Sequence, residues 1–215
     1  MAAEYELRLA NEGDLDGTEN LAASAVAWLR SKRTDQWQRP GPDDTARNAR
    51  VRAALAAGKT WVLLDGRTHV AVITVDWQAV TPGLPALWND GERAEPAVYD
   101  HRMAVLRDPA YAGRGLGKRL LDWTGRLAAD AYGARYVRLD AWTTNSDLHR
   151  YYKSIDFDMK RTYDEETIGC PSGALFEKPL DRCSARLTGI VVNDADVTRW
   201  ASAARAGLGL AAAGR

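Results

Sequence analysis

The chain has 215 residues, with 29 Lys or Arg balanced by 29 Asp or Glu, so its formal net charge is zero and no basic footprint points to nucleic acid. No apolar run is long enough to predict a membrane partner, and the early acidic residues Glu4 and Glu6 argue against a secretory leader. The two cysteines, Cys170 and Cys183, lack metal-ligand spacing, so we expect free thiols, a cytoplasmic location and no metal.

Hydrophobic periodicity predicts helices and strands in alternation along the first half of the chain. The first helix follows Asp14, and the dipeptide Asp65-Gly66 between two apolar runs is typical of a β-hairpin. The predicted elements are a strand at Tyr5–Leu9, a helix with Thr18, Ala22, Ala25 and Leu29 on one face, a polar loop at 31–44, a helix at about 45–57, and strands at 60–64 and 69–78.

The second half predicts an α/β fold. An irregular connection at 79–95 leads to a strand at 98–106, and a helix follows that carries one apolar stripe and ends near Gly133. We expect a mixed central sheet of about seven strands, flanked by helices on both faces. One domain is predicted at residues 1–181, with a short C-terminal extension at 182–215. The remaining elements are strands at 136–142, 157–163 and 174–178, a helix at 146–155, and, in the extension, a strand at 187–192 and a helix capped by Asn193 or Asp194.

A glycine-rich segment, with Gly113, Gly115 and Gly117, passes from an apolar strand directly into a helix. Glycine lets a backbone approach a phosphate closely, and the first amides of a helix attract an anion. Lys118 is followed by Arg119 rather than a hydroxyl residue, which excludes a P-loop, and the glycine spacing excludes a dinucleotide fingerprint. The segment predicts a phosphate site, and a plain strand-to-helix turn is the alternative.

The segment from Ala112 to Gly117 resembles the Gln/Arg-x-x-Gly-x-Gly/Ala motif of the GNAT superfamily of acetyl-CoA-dependent N-acetyltransferases. Ala112 stands where that family has Arg or Gln. A second segment, from Asn145 to Phe157, is similar to a later motif of the same family, with Asp156 at its usual glycine. The resemblance covers roughly residues 5–180 and is most specific at 103–157.

This resemblance implies the GNAT fold and the transfer of acetyl from acetyl-CoA, without a metal, to a primary amine by direct attack. It leaves open a protein or peptide amine, a longer acyl donor, or a non-catalytic acyl-CoA sensor on the same fold. The cofactor-binding positions that it implies are Met103, Ala104, Val105, Ala112, Gly113, Arg114, Gly115, Leu116, Gly117, Lys118 and Asn145.

Tyr152 corresponds to the tyrosine that the family uses as general acid, although helical spacing alone does not separate it from its neighbour Tyr151. Two residues of the strand before the glycine-rich segment, His101 and Asp100, are candidates for the general base, and Asp140 or a water relay are alternatives. The structural alternatives are an ion pair between Asp100 and Arg102, and a helix N-cap for Asn145.

Two tryptophans, Trp37 and Trp88, lie in predicted loops that border the acceptor site in the GNAT fold. Aromatic walls bind flat or cationic small molecules well, so we expect a small-molecule amine as substrate. The C-terminal extension is expected to cover the core, to line the acceptor pocket or to pair two copies as a homodimer.

Overall fold

The computed structural model describes residues 5–38, 44–79, 86–184 and 187–210. The predicted order of elements is confirmed, with two short helices added; the predicted loop at 31–44 and connection at 79–95 lie partly outside the described residues. The elements are β1 (Tyr5–Leu9), α1 (Leu15–Ser31), α2 (Asp44–Ala56), β2 (Thr60–Asp65), β3 (Thr68–Asp76), α3 (Asp90–Ala94), β4 (Ala97–Val105), α4 (Leu116–Tyr132), β5 (Tyr136–Ala141), α5 (Ser146–Ser154), β6 (Asp158–Thr162), α6 (Glu165–Ile168), β7 (Ala174–Pro179), β8 (Ile190–Val192) and α7 (Asp194–Gly207).

The strands form one mixed sheet in the order β6-β7-β5-β4-β3-β2-β1-β8, flanked by helices. Most neighbours are antiparallel, but β4 runs parallel to β5, and β1 runs parallel to β8. The prediction of a mixed sheet of about seven strands is therefore confirmed, and the eighth strand is the one predicted in the C-terminal extension. Within the described ranges, no helix is long and apolar enough to cross a membrane.

The first compact unit comprises residues 102–117 and 187–200 together with the described residues up to 74. Its core lies where α1 packs on β2 and β3. The predicted face of α1 is correct except at Ala22, which is exposed, because the buried face passes through Leu21 instead. The predicted hairpin is also present, and Gly66 in its turn has a φ of 56°.

The second compact unit comprises residues 86–101 and 118–184, with the described residues of 75–79 and 201–210. A buried cation dominates one part of it: Arg138 of β5 has none of its surface exposed. The Arg138 guanidinium donates hydrogen bonds to the carboxylates of Glu177 at 2.8 Å and Glu95 at 2.6 Å. These contacts tie β5 to β7 and to the residue that ends α3.

Among the described residues, the two α-helices that the sequence does not predict, α3 and α6, are single turns. Asn89 caps α3, and Glu92 reaches back to the Asn89 amide, which completes a capping box. The Asn-x-x-Glu spacing was therefore a usable signal, but no apolar run follows it. Helix α6 ends at Gly169, whose φ is 68°.

The C-terminal strand and helix are both present as predicted. Asn193 precedes α7, and its side chain accepts a hydrogen bond from the amide of Asp196 at 3.2 Å. Asp196 in turn accepts a hydrogen bond from the amide of Leu9, at the end of β1. Trp200, further along α7, is completely buried. The boundary between residues 181 and 182 stays a prediction.

Candidate active site

The loop between β4 and α4 exposes its backbone. Gly113 and Gly115 have φ angles of 73° and 64°, in the left-handed region that glycine adopts without strain. Both residues are exposed, and no described atom lies within 4 Å of where a side chain would project from either of them. Helix α4 begins directly afterwards, at the buried residues Leu116 and Gly117, and the first amides of a helix lack intrahelical partners. This backbone can therefore hold an anionic group such as a phosphate.

Side-chain contacts hold the first part of this loop in place. Asp108 accepts hydrogen bonds from the amide of Ala110 at its carboxylate and from the amide of Tyr111 at its carbonyl oxygen. The Tyr111 hydroxyl donates to Asp65 Oδ2 at 3.0 Å, at the end of β2. The loop is thus tied to the hairpin of the first unit before its glycines begin, and Ala112 between them is exposed.

Both basic side chains predicted to bind the cofactor have partners within the chain. Arg114 Nη1 donates a hydrogen bond to the Tyr5 hydroxyl at 2.8 Å. Lys118 Nζ donates to Asp122 Oδ2, also at 2.8 Å. Burial opposes the charge of Lys118, but the hydrogen bond with Asp122 raises the pKa of Lys118 above its ordinary value. Their contact with a cofactor stays a prediction.

Strand β4 is irregular at Arg102, whose φ of 50° lies in the left-handed region. Regular alternation would place Tyr99, His101 and the later odd-numbered residues on one face. Because Arg102 is left-handed, the regular alternation of side chains along β4 does not continue past His101. Met103 and Val105 are half-buried, and Ala104 is buried in the core of the first unit.

Tyr152 lies on α5 with its ring buried and its hydroxyl without a hydrogen-bond partner among the described residues. The ring packs against Phe157 and Phe176, with centroids 5.7 Å and 5.3 Å away. Burial raises the pKa of Tyr152, and the neighbouring Tyr151 and Asp140 act in the same direction. The phenol is therefore neutral at pH 7 and can serve as a proton donor.

The two base candidates on β4 have different surroundings. Asp100 is 4% exposed, and the Thr124 hydroxyl of α4 lies 2.6 Å from its Oδ2. Burial raises the pKa of Asp100 to about 7, although the hydrogen bond with Thr124 and the charge of His101 lower it. The alternative of an ion pair with Arg102 is wrong, because the partner of the carboxyl group is Thr124. His101 is half-buried, and its Nδ1 lies 3.4 Å from Asp140 Oδ1 on β5.

Asn145 is the N-cap of α5. Its Oδ1 accepts a hydrogen bond from the amide of Leu148 at 3.0 Å, and the residue is buried. The structural alternative considered from the sequence is therefore confirmed. A cofactor contact for Asn145 stays a prediction.

The two predicted substrate tryptophans are more buried than loop residues usually are. Trp88 is only 4% exposed, and the Arg138 guanidinium lies 4.9 Å from the centroid of its ring. Trp37 is half-buried, has a φ of 58° and packs against the core of the first unit. Substrate contact stays a prediction for both, and the exposure favours Trp37.

Comparison with known proteins identifies the family. The model of the acetyltransferase (GNAT) family matches residues 23–157, which is more than half of the chain. The chain belongs to the GNAT acetyltransferase family. An uncharacterised N-acetyltransferase of Bacillus subtilis (strain 168), YesJ, is 25% identical over 151 residues, which are 68% of this chain and 77% of YesJ.

Crystal structures of GNAT proteins share this fold. A GNAT-family acetyltransferase from Streptococcus agalactiae 2603 superposes with a TM-score of 0.59 at 16% identity, over 81% of this chain and 95% of that one. The PaiA N-acetyltransferase of Thermoplasma acidophilum, crystallised with coenzyme A, gives a TM-score of 0.57 at 15% identity, over 81% and 98% of the two chains. The predicted GNAT fold is confirmed.

Sequence reasoning missed the partners of the candidate residues in this GNAT protein. Thr124 lies on the buried apolar face of α4, and a hydroxyl inside such a face is a signal for a buried polar contact. Lys178, which binds Asp122, lies in a buried strand directly after another charged residue, Glu177. No spacing rule connects Thr124 with Asp100 or Asp122 with Lys178, because each pair joins α4 to a strand that is distant in the sequence.

Proposed function

We propose that this GNAT protein transfers the acetyl group of acetyl-CoA to the primary amine of a small molecule by direct attack. The bare glycine-rich backbone between β4 and α4 carries the proposal, because it suits the pyrophosphate of coenzyme A. The coenzyme A bound to the Thermoplasma protein supports the same co-substrate. Gly113, Gly115 and the first amides of α4 would hold the phosphates, and the backbone of residues 103–105 would bind the pantetheine arm.

Acetyl-CoA supplies an acetyl group that is activated as a thioester, and the chain supplies proton transfer. Tyr152 would protonate the departing sulfur, since its raised pKa keeps the phenol neutral and its hydroxyl has no hydrogen-bond partner in the described part of the chain. His101 would accept the proton that the amine must lose, with the Asp140 carboxylate 3.4 Å away stabilising the imidazolium. Both groups belong to the second unit.

A small-molecule acceptor is favoured over a protein by two features. The chain is electrically neutral, so it offers no net acidic attraction for a basic peptide. Trp37 is half-buried and not fully covered, and an aromatic face binds a cationic or flat molecule.

The test is a calorimetric titration with acetyl-CoA, followed by thiol release against matched panels of small amines and lysine-containing peptides. We expect binding, and thiol release that depends on a small amine. Release that occurs only with peptides would make the protein a peptide acetyltransferase. Binding without release on either panel would favour an acyl-CoA sensor, and no binding would refute the assignment of the loop.

A further inference from the structure

The two contacts of the Thr124 hydroxyl are both fully satisfied when the carboxyl group of Asp100 carries a proton. The Thr124 hydroxyl oxygen lies 2.6 Å from Asp100 Oδ2 and 2.9 Å from the carbonyl oxygen of Leu121. A threonine hydroxyl carries a single proton, and a carbonyl oxygen can only accept. A shared proton would weaken both contacts, whereas each contact has its own proton if Thr124 donates to Leu121 and the carboxyl group of Asp100 donates to Thr124.

The second oxygen of Asp100 gives independent support. Asp100 Oδ1 is buried and has no hydrogen-bond partner in the described part of the chain. An ionised carboxylate spreads its charge over both oxygens, so a bare oxygen in a dry environment is costly. The carbonyl oxygen of a neutral acid carries much less charge and tolerates the missing donor. With 4% of the residue exposed, water offers little compensation.

We propose that Asp100 is a neutral carboxylic acid in the folded protein and that it is a positioning residue. Its proton, donated to Thr124, ties β4 to α4. These are the strand and the helix that the glycine-rich loop connects, so the tie supports the two elements that flank the proposed cofactor loop. That last consequence rests on the proposed function, whereas the protonation of Asp100 does not. A neutral Asp100 also leaves the role of base to His101.

The groups that face Asp100 fit a neutral acid. Burial raises the pKa of Asp100 and outweighs the opposite effect of its neighbour on β4, His101. The facing residues of the helices are the phenols of Tyr132 on α4 and Tyr152 on α5, and a charge on Asp100 would raise their pKa values further. No lysine or arginine among the described residues forms an ion pair with Asp100, and burial raises its pKa to about 7.

The direct test compares the wild-type protein with Asp100→Asn, whose amide donates to Thr124 at every pH. The unfolded aspartate releases its proton at about pH 4, so over about pH 4.5–6.5 the wild-type folded state holds one extra proton. The stability that it provides is complete below about pH 4 and is lost as the pH rises to about 7. We expect the ratio of wild-type to variant folding constants, from urea unfolding, to fall nearly tenfold for each pH unit in that window.

A ratio that does not change with pH, or that rises with pH, would overturn the proposal. If Asp100→Asn does not fold, infrared spectroscopy of the wild-type protein at about pH 6 decides the question, because a neutral carboxyl group has its own C=O band. That band should shift in Thr124→Val, which removes the acceptor hydroxyl, and stay in place in Thr124→Ser. Its absence would overturn the proposal. Neither measurement uses acetyl-CoA or an amine, so failure here is distinguishable from failure of the proposed acetyl transfer.

Discussion

The buried ion pair between Lys178 and Asp122 allows a quantitative stability prediction. Lys178 has none of its surface exposed, and Asp122 has 2%. Lys178 Nζ donates to Asp122 Oδ1 at 2.7 Å and to the carbonyl oxygen of Ile155 at 2.9 Å. The substitution Lys178→Met keeps most of the side-chain volume but removes the positive charge. It therefore leaves a buried carboxylate and a buried carbonyl group short of a donor.

Removing one partner of a buried pair costs about 3–5 kcal/mol. Asp122 keeps two other donors, Lys118 Nζ at 2.8 Å and the amide of Ser184 at 3.1 Å. Because the carboxylate is not left wholly uncompensated, we expect a loss of about 3 kcal/mol, at the lower end of that range. Burial alone would raise the pKa of Asp122, but its hydrogen bonds hold the pKa below the ordinary value, so the carboxylate is ionised at pH 7.

The assay is urea unfolding of the wild-type protein, Lys178→Met, Asp122→Asn and the double variant. The double variant should lose less than the sum of the two single losses by about 2 kcal/mol, since no unpaired charge remains. Arg150→Met is the matched control, because it breaks an exposed pair with Asp147 on α5 and should cost about 0.5 kcal/mol or less. A loss in Lys178→Met no larger than in this control, or additive single losses, would refute the reasoning.

Three further predictions concern the glycine-rich loop, the proposed general acid Tyr152 and the stability of the chain at low pH. Gly115→Glu should abolish acetyl-CoA binding in calorimetry, because its negative charge would lie where the phosphates are proposed to bind. Gly115→Ala adds only backbone strain at a φ of 64° and should keep measurable affinity. Equal affinities of the two variants would mean that the phosphates do not bind at Gly115. Tyr152→Phe should lower turnover by about 10- to 1,000-fold with little change in acetyl-CoA affinity. The control variant Tyr151→Phe should keep wild-type turnover. Wild-type turnover in Tyr152→Phe would show that Tyr152 is not the general acid. Burial raises the pKa of Asp14, but its hydrogen bonds, including the one from Arg8, hold the pKa at about 2, below the unfolded value of about 4. Ionised Asp14 therefore contributes about 2 kcal/mol to the free energy of unfolding above about pH 5, and this contribution is lost as the pH falls toward 2. In urea unfolding, the free energy of Asp14→Asn should not show this fall at low pH. A fall as steep as that of the wild-type protein would contradict the role of Asp14.

Regular elements could be predicted because their signals are local. The alternation in β1, the Asp65-Gly66 turn and the stripe of α4 each depend on residues a few positions apart, and each is present in the fold. The single-turn helices could not be predicted from hydrophobic periodicity, because one turn is too short to show it. The positive φ of Arg102 has no local signature either, since non-glycine residues seldom adopt it, and so the alternation in β4 failed there.

The partners of the candidate residues could not be predicted, because they come from other strands and helices. The sequence neighbours of Trp88 predict a loop, but they give no sign that Arg138, fifty positions later, lies against its ring. The raised pKa of Asp100 similarly depends on the packing of α4 over β4 and not on residues near it in sequence. Motif resemblance identified the candidate positions, whereas their charge states required the fold.

Tyr152 shows how one side chain can belong to the core and to the candidate site, and this leads to a last prediction. A buried tyrosine hydroxyl usually finds a hydrogen-bond partner, as Tyr132 does with the carbonyl oxygen of Ala97 at 3.1 Å. The Tyr152 hydroxyl has no such partner among the described residues, although its ring is packed between phenylalanines.

Removal of the Tyr152 hydroxyl should therefore leave the free energy of unfolding unchanged, whereas Tyr132→Phe should lower it by about 1 kcal/mol. Urea unfolding of the two variants tests this difference. An equal loss in both would mean that the Tyr152 hydroxyl stabilises the fold, and a fall in turnover in Tyr152→Phe would then no longer identify a general acid.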